Sequence, residues 1–316
     1  MPRLRLLVVL GFLVLLGAQA ERDKRSYGGA ARVVLEIDGV GSAAVSNITG
    51  GNVAADVIVE PATGSGFAQK RLGQPHVVPV TVEVTVGDLL PWITQTLGGA
   101  GQTVNGRILE FDPSNSIVAE RQFNNATLTE VAFPALDGSS KEPARMKLTF
   151  QPQNISTKPA SGGGKVPPIG DGKSKRPMAS AFRVTIPGVD CTGVARVEPI
   201  TITFKGSNTA SRGGRDVQGP KNSAETVAGD LVLSVADSKA GGFTEWHDRS
   251  VVRGDTSNAE KTATVELLTP DLKNSILTLE GQGVGIVTLR QPAQAAGAEA
   301  VRRVEAQMYV EQWRVK

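Results

Sequence analysis

This chain carries nearly the same message twice, and that repetition limits its fold more than any other feature. Val33-Val34-Leu35-Glu36-Ile37-Asp38-Gly39-Val40 returns 149 residues later as Phe182-Arg183-Val184-Thr185-Ile186-Pro187-Gly188-Val189. Apolar residues take alternate positions in both, a period of two that a β-strand turns into one buried and one outward face. Gly39 and Gly188 close each strand where a turn is needed. Val45-Ser46-Asn47-Ile48 then matches Val197-Glu198-Pro199-Ile200, leading into Val57-Ile58-Val59 and Ile200-Thr201-Ile202-Thr203-Phe204. The third landmark is an alternating strand followed by a short helix with a tryptophan, Trp92 in the first copy and Trp246 in the second. Asp88 offers the first helix an N-cap, Pro91 fits its first turn and Gly98 its C-cap. The fourth is a hairpin turning at Asp112-Pro113-Ser114-Asn115 or Thr269-Pro270-Asp271, with a closing strand at Met146–Phe150 or Val304–Val310.

Two units of mainly β structure, each with one short helix, follow from this order. Hydrophobic content of 40% lets each half bury its own core. With aromatics at only 4%, Trp92 and Trp246 are expected to be core residues. The units are placed at 31–152 and 181–316. Residues 153–180, rich in Gly, Pro and Lys, are read as an extended linker, and 21–30 as a disordered approach to the first unit. Between the second and third strands each copy has a polar, Gly-rich stretch, Pro61–Pro75 and Gly206–Ala228. Loops of that length in a compact domain carry function or stay disordered.

Residues 1–20 read as a secretory signal peptide: Arg3 and Arg5, an apolar run from Leu6 to Leu16, then Ala18-Gln19-Ala20 as the cleavage site. The run is too short for ~30 Å of hydrocarbon. The expected location is therefore exported: periplasmic, cell-envelope or extracellular. The formal net charge of +3 falls to +1 once Arg3 and Arg5 are removed, which leaves no electrostatic case for nucleic acid. Cys191 is the only cysteine, so stability must come from packing, pairing and assembly rather than disulfides.

Catalytic signals are scarce. With His76, His247 and Cys191 as the full His and Cys complement, a His/Cys metal cage cannot be built. Gly170-Asp171-Gly172-Lys173-Ser174 lacks the earlier glycine and the preceding strand of a phosphate loop. Gly281-Gln282-Gly283-Val284-Gly285 sits in an alternating region and reads as a turn or bulge rather than a dinucleotide fingerprint. No serine stands in an elbow motif. No catalytic, cofactor or metal residue is assigned.

As a whole the unit resembles the tail tube proteins of contractile phages and related injection machines. The resemblance rests on F-x-V-x-I-x-G-V at Phe182–Val189, Gly193-Val194 leading to Val197 and Ile200, the strand–loop–strand–Trp-helix order, V-x-L-x-x-P from Val265, and a last strand ending Glu311-Gln312-Trp313. It covers most of the chain after the leader, once per half, and implies tandem β-sandwich or barrel domains in a non-enzymatic structural protein. It further implies six-membered rings built by edge pairing, made here by three two-domain chains, with the rings stacking into a tube alongside other tail-like components. The family's ring-contact loop would fall on Gly206–Ala228, with Arg212 and Arg215 as contact residues. The leader departs from that pattern, because such tubes assemble in the cytoplasm. The competing reading is an exported β-sandwich binding or adhesion module of the cell envelope.

Overall fold

Strand register shows how deep the repetition runs. A computed structural model describes residues 32–62, 66–97, 103–159, 167–169, 177–205, 225–257, 259–291 and 302–316. The first half contains β1 (Arg32–Ile37), β2 (Gly41–Thr49), β3 (Val53–Glu60), β4 (Gln69–Val77), β5 (Val80–Thr85), α1 (Leu90–Leu97), β6 (Thr103–Phe111), β7 (Ile117–Ala132), β8 (Leu136–Asp137), β9 (Arg145–Gln151) and β10 (Asn154–Pro159). The second contains β11 (Phe182–Thr185), β12 (Val194–Val197), β13 (Thr201–Lys205), β14 (Glu225–Ala228), β15 (Leu231–Ala236), α2 (Gly241–His247), β16 (Glu260–Leu268), β17 (Ser275–Arg290) and β18 (Arg303–Val315). Among the described residues the protein is mainly β, with one short α-helix in each half.

In the first half the antiparallel pairs run β1–β2–β5–β9–β7–β6 and back to β1, a closed barrel. Closure removes the edges that an open sheet would expose. The second half repeats the ladder β11–β16–β17–β18–β15–β12, but among the described residues β11 and β12 do not pair. The chain between them turns at Asp190, whose Oδ1 accepts hydrogen bonds from the backbone N–H and the hydroxyl of Thr192. Residues of β11 and of this turn line a groove of about 640 Å³.

The two ladders share even their irregularities. The β6–β7 register shifts between Val104 and Gly106, and the β16–β17 register shifts at the corresponding step, between Lys261 and Ala263. The β2–β5 ladder shifts between Val45 and Asn47; β12–β15 shifts between Val194 and Arg196. This places Val45-Ser46-Asn47-Ile48 on Val194-Ala195-Arg196-Val197, three residues earlier than the sequence match suggested. The alternation there is too short to fix a register, and only the ladder decides it.

Two expected loops prove to be strands in part. The later part of Pro61–Pro75, from Gln69 on, belongs to β4, which returns along β3 with Glu60 opposite Gln69 and Val53 opposite Val77. The expected linker over 153–180 opens with β10, which pairs with β7 from Asn154–Asn124 to Pro159–Ala119. Its β-branched residues, Ile155 and Thr157, suit a strand, and β7 offers it a partner.

Compensating volumes keep the paired cores filled. In the first half Phe123 stands opposite Gly106, where a Cβ would lie 2.6 Å from the Phe123 ring and 2.3 Å from the Glu36 carbonyl. Phe123 stacks on Phe150, and Trp92 on the same Phe150, at centroid distances of 6.0 and 6.2 Å. In the second half the residue at the Phe123 position is Gly281, facing Ala263, and Trp313 fills the space from the neighbouring strand. The halves do not bury separate cores: one apolar cluster runs from Leu35 and Phe150 through Phe133, Ile202 and Phe204 to Trp246 and Trp313.

Candidate assembly interface

The shared core is created where the halves exchange strands. β13 of the second half adds to β7 of the first, with Thr201, Ile202 and Thr203 opposite Ala132, Val131 and Glu130. β8 of the first half adds in turn to β12 of the second, Leu136 opposite Val197 and Asp137 opposite Arg196. Between them Phe133 N–H donates to the Ile200 carbonyl at 2.8 Å, and Gly138 N–H to the Ala195 carbonyl at 3.0 Å. Val131 and Ile202 are 0% and 1% exposed. The β13–β14 hairpin is held from behind by Trp313, whose indole N–H donates to the Gly229 carbonyl at 2.8 Å. Leu97 at the end of α1, Ile202 and Trp313 border one cleft beside it.

Ionic contacts sit at the rim of this seam. Arg196 bonds Glu198 at 2.6 Å and Asp137 at 3.4 Å. Two hydrogen bonds from Ser139, hydroxyl and backbone N–H, hold the Asp137 carboxyl below its ordinary value of 3.8, helped by Arg196. Asp112, Asp190 and Asp255 are lowered too, each first by a hydroxyl two residues on, from Ser114, Thr192 and Ser257. A carboxylate with a depressed folded value stabilises the fold above its unfolded value and loses that contribution as pH falls through the folded one. Urea midpoints are therefore expected to stay level from neutral pH down to about 5 and to drop below about 4. Asp137→Asn should reduce the size of the drop; an identical acid limb in that variant would contradict the assignment.

The first half possesses the same hairpin, with no further strand added to it among the described residues. β3 and β4 form a two-stranded sheet of their own, paired to no other strand among the described residues. Val53 is 60% exposed, and Val57, Val59 and Leu72 are exposed beside it. Its outer end is clipped by Arg71 and Glu60 at 2.6 Å.

Trp92 and Trp246 lie under their helices, 6% and 1% exposed. The Trp246 indole N–H donates to the Ala259 carbonyl at 2.7 Å, and the Lys261 ammonium lies 5.4 Å from its ring. The Trp92 N–H has no acceptor among the described residues. Arg212 and Arg215 lie outside the described residues, as do the leader and the Gly170–Ser174 run. Among the described residues no group of three or more His, Cys, Asp or Glu could hold a metal. No helix there is long and apolar enough to cross a membrane. Burial pushes the Cys191 thiol up, which makes it a poor nucleophile. Gly281 and Gly283 fall within β17 beside its bulge, far from any helix start.

Sequence reasoning missed the residues that make the seam, Glu130–Ala132, Leu136–Asp137 and Thr201–Thr203. The available signal was the length of β7 and β17. Each runs for 16 residues, well beyond what a barrel wall of this size needs.

No protein-family model matches this chain, and neither does any curated protein. Solved structures similar to it include a chain from the sheath-tube complex of an extracellular contractile injection system in the extended state. That chain is 16% identical, with a TM-score of 0.37, and the match covers 44% of this protein and 97% of the other. Hcp1 from Salmonella typhimurium matches at 11% identity and a TM-score of 0.32, over 44% and 93% of the two chains. Hcp1 from Flavobacterium johnsoniae matches at 19% and 0.30, over 42% and 96%.

Proposed function

We propose that this protein is a non-enzymatic structural subunit that self-associates head to tail into closed rings, three two-domain chains giving six barrel units. The single observation behind this reading is the strand exchange between the halves. One half lends a hairpin to the other through a surface that is not self-complementary. The lending half therefore still shows an unused receiving edge, and the receiving half an unused hairpin. Such heterologous contacts propagate until rotation closes them. Stacking of the rings into a tube, with other tail-like components as partners, extends the same reading, as does an exported location set by the leader. The tubes and Hcp proteins named among the similar structures supply the family context but not the evidence for this chain.

Native mass spectrometry on the protein lacking residues 1–20 tests the proposal. The expected species is a trimer, with six-fold pseudo-symmetric rings in electron micrographs. A strict monomer from nanomolar to high micromolar concentration would overturn it.

A further inference from the structure

We propose that the β3–β4 hairpin seats on the last turn-proximal residues of β17 in the next copy of the chain, with Val53 opposite Leu289. The proposal rests on the self-association reading above and supplies its contact surface.

The two long strands correspond residue for residue. Opposite β6, Ile117 and Phe123 of β7 take the places that Ser275 and Gly281 of β17 take opposite β16. Both long strands shift register again against the closing strand, between Leu128 and Glu130 and between Ile286 and Thr288. Glu130-Val131-Ala132 thus corresponds to Thr288-Leu289-Arg290. Val131 pairs with Leu148 on one side and Ile202 on the other. Leu289 pairs with Ala306 on the first side, and among the described residues its second side is open.

The hairpins correspond just as closely. Val53 opposite Val77 and Ala54 opposite His76 repeat Ile202 opposite Ala228 and Thr203 opposite Val227. The hydrogen bond from Val78 N–H to the Asn52 carbonyl repeats that from Gly229 N–H to the Thr201 carbonyl. Asn52-Val53-Ala54 is therefore the counterpart of Thr201-Ile202-Thr203. Transferring the inner seam to the open surfaces pairs Asn52 with Arg290, Val53 with Leu289 and Ala54 with Thr288.

Exposure supports the same pairing. Ile202 and Val131 are buried by each other's strands; their counterparts Val53 and Leu289 are exposed and half-buried. Leu97, five residues past Trp92, borders the cleft beside Ile202, whereas Val251, five residues past Trp246, is exposed. An unpaired strand with apolar side chains beside it is a template for another strand. Here the occupant has a matching register elsewhere in the same sequence.

The full chain with Cys191→Ser, Val53→Cys and Leu289→Cys tests the pairing. Directly opposed cross-strand residues lie within disulfide reach. Mild oxidation should give covalent multimers that collapse on reduction, while Val40→Cys with Leu289→Cys in the same background should not. No multimers from the first pair, or equal multimers from both, would overturn the inference. Separately, Val53→Asp should weaken association at least about thirtyfold, with an unchanged circular dichroism spectrum. If Val53→Asp assembles like the wild type, the hairpin assignment fails and self-association stands; if the wild type is monomeric, both fail.

Discussion

Replacing Trp246 by Ala should cost about 3–5 kcal/mol of stability and lower the melting temperature by on the order of 10 °C. Trp246 is almost fully buried beneath α2, within the apolar cluster. Its removal leaves a cavity that strand backbones tied into two ladders cannot collapse. It also removes the donor from the partly buried Ala259 carbonyl, now bonded by the indole N–H at 2.7 Å, a hydrogen bond that contributes about 0.5–1.5 kcal/mol. The comparison with Trp92 isolates that second cost. Trp92 makes its stack on Phe150, but its N–H meets no acceptor among the described residues. Trp92→Phe should therefore be the milder of the two Trp→Phe changes, and Trp246→Phe the more damaging. Thermal melts of the three variants read the order directly, and equal losses for both phenylalanine variants would contradict it.

The second large effect is expected at the seam. Ile202→Ala should destabilise by about 2–5 kcal/mol, because the side chain is 1% exposed and packed between β7 and the cleft behind it. More informative is the shape of the transition. The main cluster runs through both halves, so the wild type should unfold in a single step despite its two repeats. Loosening the seam should broaden that step or split it, with the half that keeps its closed barrel melting last. Differential scanning calorimetry distinguishes the cases. Two separate transitions in the wild type would show that the exchanged strands contribute little.

The repeat was legible because β-strands write their period into the sequence. Leu35 and Val184 hold matching positions in the two period-two runs, and both land in register on β6 and β16. The turns were legible too, at Asp112-Pro113-Ser114-Asn115 and Thr269-Pro270-Asp271, where Asn115 takes positive φ; Leu272, just past the second motif, also takes positive φ and was not legible. Three things stayed hidden for physical reasons. β4 carries Lys70, Arg71, Gln74 and His76, which look like loop, because its own polar residues break the apolar alternation that its partner β3 shows. β10 was taken into a linker because the composition around it is dominated by Gly and Pro. The seam itself joins Val131 to Ile202 across 71 positions, and pairing at that distance has no periodic trace in either segment. Even the packing partners were concealed, since a Phe in one copy answers to a Gly plus a remote Trp in the other.

The inner seam has a consequence for how such an assembly would respond to dilution. Its two sides are tethered by the chain between β9 and β11, so they meet at an effective concentration in the millimolar range at any protein concentration. The unused hairpin and the unused edge have no tether. Every second contact in a closed array would then be permanent and every other one concentration-limited. Dilution would release whole chains and never single units, and the number of free hairpins would always equal the number of free edges.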